Sequence, residues 1–466
     1  MSDRVHFIGI GGIGMSALAR IALARGISVS GSDLRESPLT ARLASLGANV
    51  SIGHRADLVP AGATVVLSDA IRPDNPEVQR ARSLGLPVKR RSELLAEMMS
   101  GSRGIAISGT HGKTTVTAML GVVLAEAGLD PTVVLGGEYP PLGGNVRLGA
   151  GEWLVAEACE AYESFLDLAP EIALLTNIEP DHLDHHKTFD HLRQSFIAFL
   201  HRVAPHGSLV LCADRPELAD LPLPAGRHIT WYGASEQAQV RGVDIETTGG
   251  NARCRLCLDG RPAGELRVNS PGRHNMLNAL GAVAAALRTG ASLDACKRAL
   301  ERFTGVARRF EVLGEASGLT VVDDYAHHPT EIAAILAAAR AAFPGRRLVA
   351  LFQPHLYSRT RDFAEEFASA LGEADLAVLT DIYPARESPI SGVTSGLIAD
   401  NYRRRFGKDA LLEMSKEAVT TELPRHVQSG DVLLVMGAGD IGTVAHDLLR
   451  TLGGPTSAQQ EVVAKQ

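Results

Sequence analysis

The chain is predicted to fold as three α/β domains in series. Three observations predict this: strand and helix alternate through residues 1–100, the alternation restarts at Gly104, and it restarts again near Leu319 after a run of short strands. At 466 residues there is enough chain for two or three domains, each able to bury its own core. The 45% hydrophobic and 21% charged content is that of ordinary globular packing.

In the first stretch, strands are expected over 5–10, 27–32, 63–68 and 86–89, with helices after Gly14, over 76–84 and over 92–100. Residues 101–104 are the best linker. Strands then follow over 104–108, 153–158, 171–177 and 208–212, with a long helix near 188–203. Residues 240–268 change character: Gly249-Gly250 and Asp259-Gly260 split short strands into antiparallel hairpins. A helix from Asn275 to Arg288 returns to the core, and the second boundary is expected near 304–308. Beyond it come strands over 319–324, 347–352, 375–380 and 431–436, helices over 329–342 and 361–371, and a final helix after Gly442. The small, polar tail past Gly453 reads as disordered.

A net charge of −7 without a long basic run argues against nucleic-acid binding. No apolar run approaches the ~20 residues of a membrane span, and a strand begins too early to leave room for a signal peptide. The expected setting is therefore cytoplasmic. Five scattered cysteines (159, 212, 254, 257 and 296) do not make a disulfide framework. Cys254 and Cys257 have redox spacing, but on a strand they face opposite ways and read as structural.

The densest chemistry lies at Gly109-Thr110-His111-Gly112-Lys113-Thr114-Thr115, between an apolar strand and a helix patterned by Val116, Met119, Leu120, Val123, Leu124 and Ala127. Backbone amides of a glycine loop close around a phosphate chain, and the helix N-terminus adds its positive dipole end. Lys113 supplies a charge for the outer phosphates, and Thr114 a hydroxyl for Mg²⁺. The general phosphate-loop pattern would put a glycine at 107. Here that position is Ile107, and the glycine sits at 109. The central domain is thus expected to be a P-loop-type ATPase with appended antiparallel strands.

Other strand ends carry candidate groups. Gly9, Gly11, Gly12 and Gly14 match the dinucleotide fingerprint, with Asp33 at the distance of a ribose-binding acid. The same turn holds any pyrophosphate, so NAD and a nucleotide sugar both fit. Glu157 ends a strand where such ATPases place a metal carboxylate, with Glu160 nearby. Residues 181–186, DHLDHH, admit three readings: a zinc hydrolase site, one imidazole beside a second Mg²⁺, or a solvated helix start. Asn275 and Asn278 can meet an adenine edge or phosphate, or cap the helix. Arg308 and Arg309, the run Asp323 to Pro329, and His355 to Arg361 place polar side chains at C-terminal strand ends, where open α/β sheets bind ligands. Arg359 can clamp a carboxylate bidentately.

Taken in order, GIGGIGM at 9–15, SGTHGKTT at 108–115, TNIEPDH at 176–182, HNxxNA at 274–279, RRFE at 308–311, DDYAHHP at 323–329 and MGAGDI at 436–441 resemble the Mur ligase family. The resemblance spans nearly the whole chain. It implies a Rossmann-like UDP-sugar-binding domain over 1–101, a central ATP-binding ligase domain over 102–306 and a Rossmann-like C-terminal domain over 307–466. It moves the first glycine loop, Gly9 to Gly14 with Asp33, from NAD to UDP.

The implied reaction uses ATP and Mg²⁺ to join L-alanine to the carboxylate of UDP-N-acetylmuramate through an acyl phosphate, in peptidoglycan precursor synthesis. By resemblance Lys113 stabilises the transferring phosphoryl group, and Thr114, Glu157 and His182 surround Mg²⁺. Asn275, Asn278 and Asp323 lie near the nucleotide. Arg309, His327 and Arg359 are catalytic candidates, the last two for the amino acid. A monomer or homodimer is expected. Two departures stand out: Cys159 where many relatives have Asp, and Leu356 where many have Arg. The competing readings are the murein-tripeptide recycling ligase of the same family, an NAD-dependent oxidoreductase and a nucleotide-gated sensor.

Overall fold

The computed structural model describes residues 3–453 apart from 69, 386, 408 and 409, so the tail expected to be disordered lies outside the described residues. Three sheets form. The strands Asn49–Ile52, Ser28–Asp33, Arg4–Ile8, Thr64–Leu67 and Val88–Arg90 lie side by side in that order, all parallel. The chain winds outward both ways from Arg4–Ile8, and such a switch point opens a crevice at the carboxyl ends of the two central strands. The glycine turn sits there. Gly9 has φ +82°, and a Cβ on it would lie 3.2 Å from Ser68 Oγ, just past the neighbouring strand.

The second sheet has ten strands, in the order Arg261–Val268, Asn251–Leu258, Val240–Thr248, His228–Gly233, Ser208–Cys212, Ile172–Leu175, Arg103–Ser108, Trp153–Glu157, Thr132–Tyr139 and Gly144–Arg147. The phosphate-loop strand Arg103–Ser108 is flanked in parallel by Ile172–Leu175 and Trp153–Glu157. Three predicted motifs therefore share one edge. Two-residue connections at Gly249-Gly250 and Asp259-Gly260 make the appended strands antiparallel neighbours. Cys254 is buried on its strand while Cys257 is partly exposed, and all five cysteines are free.

In the third sheet Glu311–Ala316 pairs antiparallel with Leu319–Asp324, followed by parallel Val432–Met436, Leu348–Phe352, Leu376–Leu379 and Leu411–Glu413. Its central strands are buried along their whole length because helices cover both faces. The single helix expected over 361–371 is two, Tyr357–Asp362 and Ala364–Leu371, broken where Phe363 leaves helical geometry at φ −121°, ψ 22°.

The chain makes two compact units. One comprises the residues up to Ile245, Cys254–Arg267 and Met276–Phe303; the other comprises Glu246–Arg253, Val268–Asn275 and the described chain from Thr304. The first two sheets share the first unit because helix Ile13–Ala24 packs on Thr132–Tyr139 and Gly144–Arg147 as well as on its own sheet. A polar lock sits in that contact. Buried Asn145 donates to the Ile13 carbonyl (2.7 Å) and Ser16 Oγ (2.7 Å), and accepts from Arg20 (3.2 Å).

Candidate active site

The phosphate loop has the backbone its sequence requires. Gly109 and Gly112 hold φ +126° and +85°, conformations that L side chains rarely adopt. Space forbids side chains too: a Cβ at Gly109 would meet Thr176 Oγ1 at 2.1 Å, and one at Gly112 would meet Asn278 Oδ1 at 2.7 Å. The next strand end braces the loop. Thr176 Oγ1 donates to the His111 carbonyl (2.6 Å), and Asn177 Oδ1 accepts from the His111 amide (3.0 Å). Thr110 Oγ1 accepts from the Glu179 amide at 2.8 Å. These pairings explain why TNIEP follows a strand next to SGTHGKTT. They turn a flexible glycine run into a fixed ring of amides at the start of helix Lys113–Glu126.

Lys113 is folded back over this ring. Its ammonium donates to the carbonyls of Gly109 (2.5 Å) and Thr110 (3.0 Å) and lies 2.9 Å from Glu160, a carboxylate with 0% exposure. Burial disfavours the ammonium, but the surrounding groups, Glu160 foremost, together outweigh this and raise the lysine pKa. Glu160 is thus the buried counter-charge that motif reading left beside Glu157 without a role. Burial pushes the neighbouring Cys159 thiol up to about 11, so this side chain stays neutral.

Glu157 ends its strand half-buried and accepts the Gly136 amide through Oε1 at 2.6 Å. His182 takes a left-handed conformation (φ 52°) at the head of the short helix Leu183–His186. Its Nε2 stands 3.9 Å from Glu160 Oε1 and 3.8 Å from Asp181 Oδ2. Thr114 is buried at the first turn of the loop helix. A hydroxyl, a carboxylate against backbone glycine and one imidazole suit a Mg²⁺ that keeps waters and phosphate oxygens as its other ligands. This donor set fits.

The first glycine turn is self-braced: Asp33 Oδ2 accepts the Gly11 amide at 2.8 Å, and a Cβ at Gly11 would lie 2.9 Å from that same oxygen. Gly12 precedes helix Ile13–Ala24, and Gly14 leaves room for the Arg91 side chain (3.0 Å from its would-be Cβ). Beneath the turn, Glu77 receives His6 (2.6 Å), Ser32 (2.7 Å) and His54 (2.9 Å). Burial alone would raise the Glu77 pKa, but the hydrogen bonds from His6, Ser32 and His54 outweigh it and hold the pKa low.

In the second unit Asp323 is buried, with Oδ2 3.2 Å from Arg308 Nε and with Oδ1 lacking a hydrogen-bond partner among the described residues. Burial raises its pKa. Asp324 accepts the amides of Phe310 (2.6 Å) and Ala326 (2.7 Å), and burial pushes it up to about 7. Arg309 lies over the Tyr325 ring at 5.0 Å. The two candidates for the amino acid, His327 and Arg359, each lie beside His355. His327 and His355 have ring centroids 5.9 Å apart, and His355 Nδ1 is 3.2 Å from Arg359, itself buried. Asn275 donates to Ser270 Oγ and the Pro271 carbonyl at 2.8 Å each. Asn278, one turn on, is the amide that faces the phosphate loop.

A braced phosphate loop on one sheet, a glycine turn at the switch point of another and a third α/β sheet define a nucleotide-dependent enzyme built in series. The chain belongs to the Mur ligase family: the models for the Mur ligase family catalytic domain, the Mur ligase middle domain and the Mur ligase glutamate ligase domain match residues 4–103, 107–286 and 308–439. The UDP-N-acetylmuramate–L-alanine ligase of Sorangium cellulosum is 47% identical over 459 residues, covering 98% of each chain. The crystal structure of the UDP-N-acetylmuramate–alanine ligase of Thermotoga maritima superposes with a TM-score of 0.82 at 30% identity, covering 96% of this chain and 98% of that one. A murein peptide ligase from Psychrobacter arcticus gives 0.72 at 26% identity, covering 97% and 99%.

Proposed function

We propose that this chain joins L-alanine to the lactyl carboxylate of UDP-N-acetylmuramate at the expense of ATP, releasing ADP and phosphate. The observation that carries the reading is the amide ring at 109–114 with Lys113 poised over it, in a chain whose relatives share its full length. ATP lies with its outer phosphates in the ring. The carboxylate of the sugar attacks the γ-phosphorus, ADP leaves, and the acyl phosphate forms; the amino group of alanine then attacks the carbonyl carbon and phosphate departs. Lys113 leaves its carbonyl and Glu160 contacts to follow charge on the transferring phosphoryl group, where a fixed cation stabilises more than it does in water.

Thr114, Glu157 and His182 would hold Mg²⁺, which supplies charge neutralisation on the phosphates when bound. Gly109, Thr110, His111, Gly112 and Thr115 belong to the ring or its first helical turn, and Asn278 flanks it. Gly9, Gly11, Gly12 and Gly14 bind the UDP pyrophosphate, with Asp33 holding the turn in shape. His327 and Arg359 are assigned to alanine, with Arg359 taking its carboxylate. Arg309 and Asp323 are assigned to the nucleotide side of their sheet.

Omission experiments test this. ADP release is expected only when UDP-N-acetylmuramate, Mg²⁺ and ATP are all present. With alanine withheld, hydroxylamine traps the acyl phosphate as a hydroxamate. ADP release that ignores the sugar nucleotide would refute the reading, and turnover with the tripeptide but not with alanine would assign the recycling reaction instead.

A further inference from the structure

The histidines after His182 are not used by the reaction above, yet two of them meet a carboxylate in a metal-like arrangement. The ligand atoms of Glu163, His186 and His191 all lie within 4.8 Å of one another. His186 is buried, and its Nε2 is 3.1 Å from the Glu160 carbonyl. A carbonyl only accepts, so Nε2 carries the proton and Nδ1 presents a lone pair. Metal-binding histidines are oriented by this outer hydrogen bond.

That Nδ1 faces His191 Nδ1 at 3.4 Å. For a neutral hydrogen bond the separation is long. It equals the edge of a tetrahedron about 3.3–3.4 Å wide, the spacing of two nitrogens each about 2.0–2.1 Å from a zinc ion. Glu163 completes the group: a carboxylate oxygen lies within 4.8 Å of a ligand nitrogen of each imidazole, and its Oε1 is held at 2.5 Å by Ser195. Backbone strain aims it there, since Tyr162 and Glu163 both adopt left-handed geometry, φ 53° and 55°, which non-glycine residues seldom do in succession.

We propose that Glu163, His186 and His191 form a zinc-type cation site separate from the Mg²⁺–ATP site, with a fourth position open to water. Two imidazoles and one carboxylate favour zinc, whereas the Mg²⁺ site has a single imidazole among oxygen ligands. The site ties the 160–163 segment, whose Glu160 holds Lys113, to the 182–191 segment that carries His182.

Metal-stripped full-length protein is titrated with Zn²⁺ in millimolar Mg²⁺ against a chromophoric chelator. One zinc per chain is expected, with affinity falling at least ~10-fold in both His191→Ala and Glu163→Gln. Co²⁺ should give visible bands of tetrahedral intensity that His191→Ala abolishes. His191 is half-exposed, so this variant keeps its fold and its Mg²⁺-supported ADP release, which checks that the loss is local. Absence of stoichiometric zinc overturns the proposal. So does unchanged affinity in both variants, or a site lost in Glu157→Gln but kept in His191→Ala.

Discussion

Lys113 and Glu160 form a buried pair, and the proposed reaction places only the lysine on the transferring phosphoryl group. Lys113→Ala is expected to lower kcat by about 10²–10³-fold, the cost of removing one preorganised charge from a developing anion, with the circular dichroism spectrum unchanged. Glu160→Gln has the opposite emphasis. It leaves an ammonium with 14% side-chain exposure facing carbonyls alone, and breaking a buried pair from one side costs about 3–5 kcal/mol. Urea unfolding should show a loss of that order, recovered in part by ATP, whose phosphates supply the missing negative charge. A variant as stable as the parent without ATP would show that Glu160 is not the counter-charge.

At the scale of elements, strand ends decide what the chain can do, and they were the most legible part of its sequence. The loop strand and helix, Glu157 at a strand terminus and the DDYAHHP turn lie where residue pattern alone puts them, because parallel buried strands read as continuous apolar runs. Less legible were elements without such runs. Helix Pro38–Ser45 buries only Thr40 and Leu43, and strand Thr132–Tyr139 is interrupted by two glycines, so neither shows a clear period. The break at Phe363 has no proline or glycine to mark it. Glu160 and Asn145 were illegible for another reason: their partners lie 47 and about 130 residues away, and local pattern carries no sign of them.

Asn145 supplies the element-scale test. Asn145→Leu removes one hydrogen bond each from the Ile13 carbonyl, Ser16 and Arg20, while the Ser16–Ile13 and Arg20–Gly143 bonds remain. Each lost bond is worth about 0.5–1.5 kcal/mol. The melting temperature should fall, and UDP-sugar affinity should fall with it as helix Ile13–Ala24 loosens beneath the glycine turn. A lower melting temperature with unaltered sugar binding would separate the lock from the site.

For the whole molecule, Asp324 gives stability a pH dependence of unusual sign. Its folded pKa of about 7 lies above the ordinary 3.8. Between those values the folded state holds a proton that the unfolded state has released, so stability falls as pH rises from about 4 to about 7 and then levels. The stability of the parent relative to Asp324→Asn, measured by urea unfolding from pH 4 to 8, should decline over that window; a rise would contradict the assignment. Glu77 acts in the other direction. Its lowered pKa contributes stability above the ordinary carboxylate range, and that stability is lost on acidification.

The central claim, that one chain turns ATP cleavage into an amide bond on a nucleotide sugar, is tested most directly by mass spectrometry. UDP-N-acetylmuramate is incubated with the enzyme, Mg²⁺, ATP and an equimolar mixture of amino acids. The sugar nucleotide should gain the mass of one alanine residue, with one ADP formed per product and none formed without the sugar. An unchanged sugar nucleotide beside continuing ADP formation would contradict the claim.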